Sequence, residues 1–139
     1  MARHTFVTKA EGESNFTLKE VNIPEASGGL GFKIVHASWS GSSSFTWGSD
    51  QIASSGISDV TRVAKGIYRV SFSSDFASAN YTVTTSVGSE NYSGVGASPR
   101  TLSVLLETRT PGTVDVICER TDDAVNVDNE YMSIFIIGS

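Results

Sequence analysis

In Gly66-Ile67-Tyr68-Arg69-Val70-Ser71-Phe72, every second residue from Tyr68 on is large and apolar. An extended chain turns alternate side chains to opposite faces, so Tyr68, Val70 and Phe72 form one stripe and Ile67, Arg69 and Ser71 the other. Gly66 ahead of them supplies the freedom to adopt positive φ at a tight turn. The same period of two extends in both directions. Upstream, Val35, Ala37 and Trp39 share a face of Lys33 to Trp39, Phe45-Thr46-Trp47 starts a return strand, and Val60 to Val63 follows a loop at Ser54-Ser55-Gly56. Downstream come Tyr81 to Val87 and Leu102 to Leu106, then a turn at Pro111-Gly112. Val114, Val116 and Cys118 share a face of the next strand, and Met132 to Ile137 is the last. Eight to ten short strands with regular turns predict an all-β fold, an antiparallel β-sandwich or a barrel-like domain.

Composition agrees. The 139 residues suit one packed domain. They include 22 Ser, 13 Thr and 13 Gly, which disfavour helices and argue against a helical bundle or a doubly wound nucleotide fold. Ten basic residues against 15 acidic ones give a net charge of −5, with no basic run, so nucleic acid and anionic membrane surfaces are not expected partners. The longest apolar run, Ile134 to Ile137, is far too short to insert in a membrane. The N-terminus lacks the apolar core of a signal peptide, which implies synthesis in a cytosol. Cys118 is the sole cysteine, so neither an internal disulfide nor a thiolate metal cage is expected.

Two segments depart from simple alternation. Met132, Ile134, Phe135, Ile136 and Ile137 make the last strand apolar on both faces, which fits a subunit interface and equally a central strand covered by a loop. Residues 1–31 are more charged, with Phe6, Phe16 and Leu18 spaced among Lys and Glu, and they end in a glycine-rich linker. The stretch Asn15 to Val21 fits an edge strand or an arm that pairs with something else. The expected organisation is an extended N-terminal attachment arm, 1–31, and a β-domain, 32–139.

Catalytic chemistry finds no foothold. His36 lies mid-strand on the face opposite Trp39, where a solvent-facing or interface histidine is ordinary, and no serine sits in a Gly-x-Ser-x-Gly elbow. No metal-binding motif or phosphate-cradling loop is present, and no cofactor is expected. The acidic stretch Asp122, Asp123, Asp128 and Glu130 offers oxygen ligands for calcium but lacks the spacing of a binding loop. Trp39 and Tyr81 fall on apolar strand faces and read as core. Tyr92 and Asn91, in the long polar loop from Gly88 to Pro99, and Trp47 are the better candidates for contact with a partner surface.

The ordered pieces Ala37-Ser38-Trp39-Ser40-Gly41, Ser54 to Val60, Gly66 to Phe72 and Phe76-Ala77-Ser78-Ala79-Asn80-Tyr81-Thr82-Val83 resemble a repeat family of bacteriophage tail-fibre and virion-surface proteins. Asp128 through Gly138 is similar to that family's closing segment, so the resemblance spans Val35 to Gly138. It implies a non-enzymatic virion protein, a homotrimer at or near the end of a fibre, with its trimer interface on the apolar last strand (Met132, Ile134, Phe135, Ile136, Ile137). A short tail fibre would attach to other phage tail proteins through Phe6, Phe16 and Leu18, and would meet a host-surface glycan through Tyr92, Asn91 and Trp47. The alternatives are a capsid decoration or cement protein and, outside the virion, a free carbohydrate- or protein-binding module.

Overall fold

The computed structural model describes residues 2–8, 17–23, 31–88 and 99–139. The chain divides into two compact units, Met1–Phe32 and Lys33–Ser139. In the first, β1 (Ala2–Thr8) pairs antiparallel with β2 (Thr17–Ile23), from Ala2 opposite Ile23 to Thr8 opposite Thr17. The expected extended arm is thus a two-stranded ribbon. The weak alternation seen from residue 15 onward belongs to a strand, and its partner is the chain's own Thr- and Val-bearing N-terminus, residue types that favour extended backbone. Of the three residues expected to attach to a particle, Phe6 stands opposite Lys19 and Leu18 opposite Val7, on neighbouring rungs. Phe16 lies outside the described residues.

The second unit holds β3 (Lys33–Trp39), β4 (Gln51–Ser55), β5 (Ile57–Ala64), β6 (Ile67–Phe72), β7 (Thr82–Val87), β8 (Arg100–Leu105), β9 (Thr113–Arg120) and β10 (Met132–Gly138). They form two four-stranded antiparallel sheets, ordered β4-β3-β10-β7 and β5-β6-β9-β8, here called the β10 sheet and the β9 sheet. A single 3-10 turn, Leu106–Thr108, is the only helix among the described residues. The fold is all-β, in a sandwich-like arrangement.

Each sheet turns its alternating stripe inward. The β10 sheet contributes Val35, Ala37, Trp39, Met132, Ile134 and Ile136; the β9 sheet contributes Tyr68, Val70, Phe72, Val114, Val116 and Cys118, all buried. Burying a side chain of this size contributes about 1.5–3 kcal/mol, which is why the stripes set the register. Gly56 carries the chain from one sheet to the other. It sits at φ 71°, and a Cβ there would lie 2.5 Å from Val35 Cγ1, so both the dihedral and the close approach require glycine.

Two sequence expectations change. Phe45-Thr46-Trp47 is not the return strand; that role falls to Gln51–Ser55. Asp50 folds residues 46–50 into a turn instead. Its carboxylate accepts from the Thr46 amide at 2.7 Å, and its own amide donates to the Thr46 carbonyl at 3.0 Å. Phe45 then packs edge-on against Tyr68, with ring centroids 5.2 Å apart. The last strand also changes meaning. β10 is central, between β3 and β7, and Met132, Ile134 and Ile136 fill this chain's own core. They cannot reach another subunit, so of the five residues assigned to an interface only Phe135 and Ile137 point outward.

Candidate functional site

Residues from distant parts of the sequence converge at the β5–β6 end of the fold. The Asp128 carboxylate accepts from Arg62 Nε at 3.0 Å and Nη2 at 2.8 Å, from the Gly66 amide at 3.0 Å and from the Tyr68 hydroxyl at 2.6 Å. Burial by itself would raise the pKa of this carboxyl. The bonds from Arg62, Tyr68 and Gly66, with the Arg62 charge, outweigh that and hold it at about 2. Burial, then the bond to Asp128, pushes the Tyr68 hydroxyl above its ordinary range. Gly66, at φ 71°, is wedged against the Cys118 carbonyl and the Val127 backbone, with 2.7 Å left for a Cβ on either side. All four groups hold one another.

A second convergence lies nearer the other end of the same strands. Phe72, Phe76 and Tyr81 pack ring to ring at 4.9–5.5 Å. The Tyr81 hydroxyl lies within hydrogen-bond reach of the Thr110 and Thr113 carbonyls, at 3.0 and 2.9 Å, which ties this cluster to the Pro111-Gly112 turn. Lys33 and Arg109 cap the rings from outside, each 4.4 Å from a ring centroid. Asn129, fully buried, donates its amide to the Gly88 carbonyl at 2.6 Å and the Tyr131 carbonyl at 2.8 Å, and so fastens the end of β7 to the entry of β10. Sequence reading missed Arg62 and Asn129. Arg62 lies 66 residues from Asp128, and no local pattern links them.

Two carboxylates of the acidic stretch are already engaged by arginines. Asp128 belongs to the Arg62 cluster and Asp123 pairs with Arg120. Among the described residues no group of three or more His, Cys, Asp or Glu side chains could hold a metal ion. Cys118 is buried, and burial raises its thiol to about 11, far from a reactive thiolate. Trp47 is half-buried and packs against the core, so only part of its ring is open to a partner. Tyr92 and Asn91 lie outside the described residues.

The open surface with a distinct character is the outer face of the β10 sheet. Directly opposite residues share a face, so its side chains follow from the register. One end rung carries Ile34, Ile137 and Thr82; the middle rung carries Ser55, His36, Phe135 and Thr84. The other end rung is Ala53, Ser38, Ser133 and Ser86, with Ser38 buried and exposed Tyr131 following Ser133 on the same outward row. Ile34 and Phe135 remain 47% and 44% exposed. No Lys, Arg, Asp or Glu stands on these three rungs, and the neighbours of His36 across the strands are Ser55 and Phe135.

No family model, curated protein or solved structure matches this chain.

Proposed function

We propose that the chain is a non-enzymatic structural protein of a phage virion, a short tail fibre whose N-terminal unit attaches to the particle and whose β-domain meets the host surface. The observation that carries this reading is the meeting of the motif pieces in space. Gly66 and Tyr68 bond Asp128, and Phe72 and Phe76 pack on Tyr81 beside Gly138. Residues that resemble the fibre family in order along the sequence thus also meet in two clusters, and this supports the reading. Their side chains hold the fold, which leaves the loops and outer faces to carry recognition.

Gold-labelled antibody against the protein, imaged on intact phage particles, tests the reading. Label at the tail or its base is the expected result. Label spread over the head turns the protein into a capsid decoration protein, and particles without label overturn the virion reading. Deleting residues 1–25 should leave a folded β-domain that no longer joins particles.

A further inference from the structure

We infer that Asn129 and Thr121 are positioning residues for recognition: they fix where the segment 89–98 leaves and rejoins the β-domain, and so set how Tyr92 and Asn91 meet the host surface. The inference deepens the host contact proposed above and rests on that reading.

The stems of this segment stand in different sheets. Gly88 follows β7 in the β10 sheet, and Pro99 precedes β8 in the β9 sheet. No strand pairing therefore sets the distance between them. Further along the strands the Thr85 hydroxyl donates to the Leu102 carbonyl, and at the stems themselves a third segment, 121–131, takes over. It too crosses between the sheets, from the end of β9 to the start of β10, and it holds both stems.

At the Pro99 stem, the Thr121 amide and hydroxyl both donate to the Pro99 carbonyl, at 2.9 and 3.1 Å. At the Gly88 stem, both backbone polar groups are engaged by the crossing segment. The Gly88 amide donates to the Tyr131 carbonyl at 3.0 Å, and its carbonyl accepts from Asn129 Nδ2 at 2.6 Å. The Tyr131 side chain closes over Gly88, where an added Cβ would lie 3.0 Å from Tyr131 Cβ. The crossing segment is itself fastened at its middle. Asp128 bonds Arg62, Gly66 and Tyr68, and the Asn129 carbonyl accepts from the Gly41 amide at 2.7 Å.

The chemistry of Asn129 argues that holding the stem is its purpose. The residue is fully buried, and burying an amide is unfavourable unless its polar atoms are bonded. Nδ2 donates to the Gly88 and Tyr131 carbonyls, both at the stem, while Oδ1 has no partner among the described residues. A side chain kept only to fill the core would carry no orphaned acceptor. Binding residues act best on loops presented by a rigid scaffold, because order fixed beforehand is not lost on binding.

Amide hydrogen exchange and phage adsorption test the proposal. In the full chain, Asn129→Ala should speed exchange at Gly88 several-fold more than at Val116 in the middle of β9. Equal acceleration at both would make Asn129 a general support of the fold and overturn the inference. On phage particles, Asn129→Ala should slow adsorption to the host strain several-fold with the gold label at the tail unchanged. Ile136→Val, which trims the core away from both stems, should not. Thr121→Val, at an exposed residue, removes only the hydroxyl bond and should slow adsorption less, in the same direction. It carries the test if Asn129→Ala folds poorly. Neither change should add to the loss caused by Tyr92→Ala, because all three act through one segment. Wild-type adsorption by the Asn129 and Thr121 variants, or losses that add to that of Tyr92→Ala, overturns the inference. Label at the tail with adsorption untouched by all three variants sinks this inference alone, whereas particles without label sink the virion reading.

Discussion

The two sheets bury similar stripes but differ at the central rung of their outer faces. At the centre of the β9 sheet, Arg69 stands across from Asp115 and grips it with two bonds of 2.8 and 2.9 Å, flanked by Thr61 and Leu105. At the centre of the β10 sheet, the corresponding rung holds His36 and Phe135 between Ser55 and Thr84. The inner stripes carry most of the stability, and an exposed outward residue without specific contacts changes it little. The β9 face carries one buried-to-exposed ion pair at its centre, with Ile67, Ile117 and Ser103 on the next outward rung. The β10 face lacks charge where an antiparallel sheet turned to solvent ordinarily carries polar, hydrated side chains.

The sharpest way to test that contrast uses two neighbours on one strand. Ile134→Ala removes a core side chain from β10 and should cost about 2–5 kcal/mol in a denaturant titration. Phe135→Ala, one residue on and facing outward, should cost less than about 0.5 kcal/mol at concentrations where the chain is a monomer. A large loss at Phe135 under those conditions would mean that this face is already covered within the chain.

Asp115→Ala comes next. It should cost about 1–2 kcal/mol, because Asp115 is buried while half-exposed Arg69 regains water once its partner is gone. Acid should act at Asp128. Its folded pKa of about 2 lies below the ordinary 3.8, so the unfolded chain takes up the proton first. The contribution is complete above about pH 4 and is lost as the pH falls toward 2, an effect of about 1–2 kcal/mol. Asp128→Asn should flatten that part of the stability curve, read from thermal melts at successive pH values. The smallest effect is expected for Leu106→Asp, within about 0.5 kcal/mol, because the side chain already faces water.

Much of this fold was written locally. Val35, Ala37 and Trp39, then Tyr68, Val70 and Phe72, then Val114, Val116 and Cys118, are legible as inner stripes because side-chain alternation follows from backbone geometry alone. The same rule marked His36 as facing away from Trp39. It misled at Phe45-Thr46-Trp47, where two aromatics in alternation belong to a turn held by Asp50. It also gave no sign that Ala2–Thr8 pairs with Thr17–Ile23.

The candidate surface was only half legible. Alternation showed that Met132–Ile137 is apolar on both sides, and it offered no means of telling the inner side from the outer. That required knowing the strand's neighbours. β10 lies between β3, roughly a hundred residues back, and β7, and the closure of such long loops changes slowly with length, so chain entropy scarcely favours one pairing over another. The sequence by itself determined the strands, their inner stripes and the charge-poor composition. Only the tertiary structure decided which strands stand side by side, and with that it joined Arg62 to Asp128 and gathered Ile34, Phe135 and Ile137 onto one open face. The physical reason is range: backbone alternation acts between neighbours in sequence, whereas packing and charge pairing act between neighbours in space.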